Sequence, residues 1–331
     1  MKILLIQTAF LGDVVLTTPL LRSIREEFPE AQIDVLLKKG TESILTNNPR
    51  ISKVIAIAKN DLGFLAFLKF ALEIRKERYD LVFCPHFSHR SSLLAWATGA
   101  PKRIGYKESG FSFLHTIRIP RPRVGPHETT KLFSLLGQKN YNARPELFPP
   151  ENRLLHWQSQ IETYSPYLVV APSSLWETKR MPWEKFVEVL QILQKESTIG
   201  FVFIGSSEDQ NLTAKIIGHL DSKRILDLSG KTTLVDLMCW IKGAKALFSN
   251  DSSPIHFGSA FDIPTLMVYG ATIKDFGYHS LSTQVRYAEV SGLSCRPCGI
   301  HGGHKCPEGH FKCMKDQSVG KIVQSIKELI L

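Results

Sequence analysis

Lys245-Ala-Leu-Phe-Ser-Asn-Asp-Ser-Ser-Pro-Ile-His-Phe-Gly-Ser259 is the stretch on which the reading of this 331-residue chain turns. Its opening run, Ala246 to Ser249, is short, apolar and of strand type. Ser252, Ser253 and Pro254 then supply N-cap and first-turn residues for a helix. A strand, a tight turn and a helix N-terminus at the carboxyl end of a parallel sheet suit a phosphate or diphosphate, because unpaired backbone N–H groups point outward there. His256, two residues into the helix, stands ready to add a donor. Taken alone, the stretch also fits an ordinary βα turn whose serines only cap the helix.

Working outward, the same alternation recurs on both sides. Strands are expected at Lys2–Gln7, Ile33–Leu37, Lys53–Ile57, Asp80–Cys84 and near Arg103–Gly105, with helices at Val14–Phe28, Leu62–Glu77 and Ser91–Ala97. From Ala143 to Pro166 prolines surround a short helical piece, which reads as an interdomain connection. The pattern then restarts at the strand Tyr167–Ala171 and runs through helix Trp183–Gln194, strand Gly200–Ile204, helix Asp209–Leu220, strand Arg224–Asp227 and helix Leu234–Lys242. It continues through the opening stretch to a strand at Thr265–Tyr269. Such alternation predicts an α/β fold of two doubly wound, Rossmann-like domains facing each other across a cleft, residues 1–155 and 156–331. The final helix is expected to pack back on the first domain.

Composition excludes several classes. A content of 43% hydrophobic and 22% charged residues is that of a globular protein, not a disordered or fibrous one. The N-terminal apolar run is broken by Gln7 and Asp13 and lacks a basic leader, so it reads as core and not as a signal peptide. With no long apolar window, the expectation is a cytoplasmic protein. A formal charge of +10 implies an acidic partner. Between Pro101 and Lys131 seven cations face two carboxylates, and Arg103, Lys107, Arg121 and Arg123 are candidates for an anionic acceptor or for the membrane face that carries it. Nucleic acid is not expected, since no stacking pattern accompanies the cations.

Two further βα turns carry candidate chemistry. After the first strand come Leu11-Gly12-Asp13; a single glycine is no dinucleotide fingerprint, which removes the best support for a nicotinamide or flavin enzyme. Asp13 is either a helix cap or a general base, and a capped carboxylate can serve as both. After Ala171 come Ser173, Ser174, Thr178, Lys179 and Arg180, hydroxyls and cations suited to neutralising a leaving diphosphate.

The ordered set Leu11-Gly12-Asp13, Lys179-Arg180-Met181-Pro182, Ser229-Gly230 and Ser249-Asn250-Asp251-Ser252-Ser253 with His256 resembles the ADP-heptose:lipopolysaccharide heptosyltransferases of glycosyltransferase family 9, in particular those of the heptosyltransferase II type. The resemblance spans essentially the whole chain. It implies a GT-B fold and a metal-independent inverting transfer of heptose from ADP-heptose to the inner core oligosaccharide of lipopolysaccharide, in peripheral contact with the inner face of the cytoplasmic membrane. It further implies Asp13 as general base, Lys179 as the diphosphate contact, Asp251, Ser252, Ser253 and His256 as the donor pocket, and Glu208 at the ribose. The chain departs from the family pattern at Ser253, where glycine is common, and at Met181, where tryptophan is. Two alternatives remain open: a related transferase using a different nucleotide sugar for envelope polysaccharide, or a non-catalytic nucleotide-sugar binder.

Four of the six cysteines, Cys295, Cys298, Cys306 and Cys313, fall together with three histidines interleaved. Their spacing admits a structural zinc or similar ion, with no part in catalysis, against the alternative of reduced thiols in a loop near the acceptor side of the cleft.

Overall fold

The computed structural model describes residues 1–58, 63–138, 143–221 and 223–331. They form two compact units, Met1–Phe148 and Pro149–Leu331. The division falls a few residues before the expected boundary, so that the helix after Pro150 belongs wholly to the second unit.

The first unit runs β1 (Lys2–Gln7), α1 (Leu11–Leu16), α2 (Thr18–Glu27), β2 (Gln32–Lys38), β3 (Lys53–Ile57), α3 (Phe64–Lys76), β4 (Leu81–Cys84), α4 (His89–Ala97), β5 (Lys102–Tyr106), β6 (Ile117–Ile119) and α5 (Glu128–Phe133). Its strands form a parallel sheet of order β3-β2-β1-β4-β5-β6. β1 is apolar on both faces and buried from Ile3 on, as a central strand covered by helices on both sides must be. The single expected helix Val14–Phe28 is two helices. Pro19 lacks the N–H that an unbroken helix would direct to the Val15 carbonyl, so the chain restarts there with proline in the first turn of α2. The expected start of the next helix at Leu62 lies outside the described residues.

The second unit runs α6 (Glu151–Tyr164), β7 (Tyr167–Ala171), α7 (Trp183–Glu196), β8 (Gly200–Phe203), α8 (Gln210–Ile217), β9 (Ile225–Asp227), α9 (Leu234–Lys242), β10 (Ala246–Asn250), α10 (Pro254–Ala260), β11 (Thr265–Val268), β12 (Val285–Ala288), α11 (Lys312–Lys315) and α12 (Val319–Ile330). Its parallel sheet has the order β12-β11-β10-β7-β8-β9. What composition marked as a connection is the full helix α6, held to α9 by Trp157 against Trp240 and by Arg153 on Asp236. The last helix, α12, lays Ile322, Val323, Ile326 and Leu329 into the core of this unit beside Leu190, Leu193 and Phe248. The apolar face of α12 is thus taken up by the core of its own unit. No described helix is long and apolar enough to cross a membrane.

In both sheets the strand order reverses once, between β1 and β4 and between β7 and β10. Loops leaving the carboxyl ends of strands diverge at such a point and open a crevice. The Asp13 turn leaves β1, and the Ser173 and Asp251 turns leave β7 and β10.

Candidate active site

In the first unit Asp13 is the third residue of α1, not its N-cap: its Oδ2 reaches back to accept from the Phe10 N–H at 3.2 Å. The carboxyl is only partly exposed. Burial, reinforced by the negative charge of Glu128, raises its pKa from 3.8 to about 7, while the Phe10 N–H and Arg121 pull the other way. Glu128 opens α5, is itself buried, and pairs with Arg121, whose guanidinium lies 4.7 Å from the centre of the Phe87 ring and 5.5 Å from that of Tyr106. Lys131 Nζ stands 3.9 Å from the same carboxylate. Beside Asp13, the crevice between β1 and β4 is lined by a polar knot in which Thr8 Oγ1 lies 3.0 Å from His86 Nδ1 and 2.9 Å from Ser91 Oγ.

The four expected acceptor cations separate. Arg121 is held in the buried pair beside Asp13. Arg103 braces its own loop, donating to the carbonyls of Leu114 and Ala100. Lys107 and Arg123 have exposed side chains, as capture of a large anion requires.

In the second unit, long-range contacts join the turns after β7 and β10. The Asn250 amide donates to the Pro172 carbonyl at 2.7 Å, and its oxygen accepts from the Met181 N–H at 3.2 Å. That staple holds Lys179 Nζ 2.7 Å from Asp251 Oδ2, with both side chains largely buried. Thr272 Oγ1 donates to the same carboxylate at 2.6 Å. Arg180 is turned back on its own loop, to the Ser174 carbonyl and to Glu177. Ser174 is buried, and Ser173 Oγ donates to Asp209, which also caps the turn at Ser206. Glu208, next to Asp209, is exposed at the carboxyl end of β8.

The capping explanation of the two serines does not survive. Ser253 is the N-cap residue of α10 but its side chain makes no capping bond, and Ser252 Oγ turns to Ser249 Oγ at 3.3 Å. α10 has seven residues, so its dipole is small and Lys179 carries most of the positive charge at this rim. His256 is buried, which pushes its pKa down to about 4 and leaves the ring neutral at pH 7. Its Nδ1 finds no protein partner among the described residues, an unmet polar group that a ligand would satisfy.

Among the described residues no group of three or more histidine, cysteine or acidic side chains is arranged to hold an ion. Cys313 is turned into the hydrophobic core, where burial pushes its thiol up to about 11. Cys298 Sγ donates to the Cys295 carbonyl, and Cys295 Sγ meets His310 Nε2 only at 3.9 Å. Cys313 is taken up by the apolar core, and the expectation of a structural zinc finds no support in this arrangement.

Sequence reasoning passed over Asn250 as a staple, Thr272 as the second partner of Asp251, and Glu128 as the charge beside Asp13. Only Asn250 carried a signal, as an amide at the end of a largely apolar strand.

Two parallel doubly wound units, with a raised carboxyl at one switch point and a lysine–aspartate pair at the other, define a nucleotide-dependent group-transfer architecture. The family model for glycosyltransferase family 9 (heptosyltransferase) matches residues 67–300, and the chain belongs to that family. It is 24% identical to lipopolysaccharide heptosyltransferase 2 of Escherichia coli strain K12, covering 100% of this chain and 99% of that protein. Among solved structures it superposes on E. coli ADP-heptose lps heptosyltransferase II with a TM-score of 0.83 at 22% identity, over 100% of this chain and 98% of that one. On the E. coli heptosyltransferase WaaC with ADP the TM-score is 0.75 at 18% identity, over 99% of each chain. These likenesses bear out the GT-B fold and the reading of the chain as a glycosyltransferase.

Proposed function

We propose that this enzyme transfers heptose from ADP-heptose to the inner core oligosaccharide of lipopolysaccharide by a single inverting displacement. The observation that carries the chemistry is the Asp13 carboxyl, raised to about 7, since a general base works best with a pKa near the operating pH. Asp13 takes the proton of the acceptor hydroxyl as that oxygen attacks the anomeric carbon from the face opposite the ADP. Lys179, supported by the amides at Ser252 and Ser253, meets the charge that develops on the departing diphosphate, while Arg180 stays on its own loop. A fixed lysine charge does the work for which other transferases bring a metal ion, which supports a metal-independent route. Asp251 holds Lys179 in place, and neutral His256 donates to the donor through its ring.

Glu208, exposed where β8 ends, is assigned to the ribose hydroxyls. Lys107 and Arg123 are assigned to the anionic acceptor, and the cationic surface to peripheral contact with the inner face of the cytoplasmic membrane. Family membership and the similarity to lipopolysaccharide heptosyltransferase 2 support this choice of substrates.

The test is ADP release from ADP-heptose with a deacylated core acceptor, run beside UDP-, GDP- and CMP-linked donors and repeated with EDTA. Turnover with the ADP donor alone, unaffected by EDTA, is expected. Turnover with another donor instead would assign the chain to a different sugar, and ADP binding without turnover would make it a binder.

A further inference from the structure

The segment between β12 and α11 carries three histidines and three of the clustered cysteines, and the chemistry above gives it no role. The sequence placed it near the acceptor side, yet the structure seals it onto the Lys179 turn. Thr178 N–H donates to the Gly303 carbonyl at 3.0 Å, and Gly303 N–H donates back to Thr178 Oγ1 at 2.7 Å. The Trp176 and His304 rings lie 5.2 Å apart. Gly302 has φ +80°, and a Cβ there would lie 2.8 Å from Thr178 Oγ1 and 3.4 Å from Lys179 Cγ, so only glycine lets the two loops approach.

A second set of bonds ties the same segment to the Asp251 side. Cys298 N–H donates to the Ala271 carbonyl at 2.9 Å. The Arg296 guanidinium donates to the Thr272 carbonyl at 2.9 Å, and Thr272 in turn holds Asp251. The segment therefore grips both halves of the Lys179–Asp251 pair.

His301 stands at the tip of this grip, next to Gly302, with its side chain exposed. Crowding by neighbouring atoms and then the Lys179 charge hold its pKa below the ordinary value, with Asp251 opposing, so both members of the pair act on the ring. Asp251 offsets part of the Lys179 charge, so a further donor beside the pair would serve a diphosphate held there.

We propose that residues 298–304 form a second wall of the diphosphate site, and that His301 donates a hydrogen bond to the distal phosphate of a nucleoside diphosphate sugar held at Lys179. This rests on the assignment of Lys179 and Asp251 to the donor phosphates. The segment is then a strap whose glycines and reciprocal bonds exist to present one imidazole to the leaving group.

The test is calorimetric titration of ADP and AMP into wild type, His301→Ala, His301→Gln and Lys179→Ala, with the thermal unfolding of each unliganded variant as a control for folding. His301→Ala is expected to weaken ADP by about tenfold, the scale of one hydrogen bond to a charged group, while AMP changes by less than about twofold. His301→Gln, which keeps an N–H donor, should recover part of the loss. Equal losses for ADP and AMP, or no loss for either, would overturn the proposal. Failure of the wild type to bind ADP, or wild-type ADP binding by Lys179→Ala, would instead overturn the donor-site assignment on which it rests.

Discussion

Replacing Asp13 by asparagine separates catalysis from stability with opposite signs. In the folded protein the carboxyl titrates near 7, against 3.8 when free, a difference of 7 − 3.8 = 3.2. At 1.36 kcal/mol per pKa unit this sets an upper bound of about 4 kcal/mol on the cost of ionising Asp13 in the fold, and solvent reaching the partly exposed carboxyl reduces it to about 2 kcal/mol. The folded state holds the proton more tightly than the unfolded chain, so between pH 4 and pH 7 this group draws stability down as pH rises. Below pH 4 both states are protonated and it has no effect. Asp13→Asn should therefore match wild type in thermal unfolding at pH 4 and exceed it at pH 8. Turnover should move the other way. Only the carboxylate accepts a proton, so wild-type kcat/KM should climb with pH and level off above about 7, while Asp13→Asn should lose roughly 10²-fold or more with donor binding nearly intact. The assays are thermal melts at pH 4, 6 and 8 and ADP release across the same range. A wild-type rate that is flat from pH 5.5 to 8.5, or a variant no more stable than wild type at pH 8, would refute the reasoning and leave Asp13 as a first-turn helix residue.

Lys179→Ala should lower turnover by more than it lowers donor affinity, because the leaving charge is greatest in the transition state; loss of affinity alone would make Lys179 a binding contact only. Arg180→Ala, whose side chain is spent on Ser174 and Glu177, should show a smaller effect in the same assay. Asp236 caps α9 through Thr233 and accepts from Arg153 and Trp157, bonds that overcome its burial and hold its pKa at about 2. Its stabilisation is present above pH 4 and lost as pH falls toward 2, so Asp236→Asn should cost about 2 kcal/mol in denaturant melts at pH 7 and little at pH 2. In the native protein Cys295, Cys298 and Cys306 should react with iodoacetamide while buried Cys313 stays protected until unfolding, and EDTA should leave the melting temperature unchanged. A chelator-sensitive melt would reinstate a metal at this loop.

The sequence by itself determined the elements and the alternation. Apolar runs such as Lys2–Gln7 and Ala246–Asn250 read as buried parallel strands because residues on both faces must leave water, and the βα turns at Asp13, Ser173 and Asp251 followed from that periodicity. Two of the four edge strands escaped it: Ile117–Ile119 is three largely exposed residues and Val285–Ala288 is only half buried, so neither shows a clean pattern. Strand order was beyond reach for a different reason. Periodicity is set within a few residues, whereas the neighbours of β10 are chosen by which helices cover which face, a sum over contacts far apart in the chain. Only the tertiary structure put β7 beside β10, so that Lys179 meets Asp251, and only it placed Glu128 where its charge helps lift Asp13 toward neutrality. The cysteine segment shows the same limit. Spacing suggested an ion, but packing turned Cys313 into the core and laid the glycines against Thr178, because burial and close backbone approach are decided by the surroundings of a residue and not by its interval from the next.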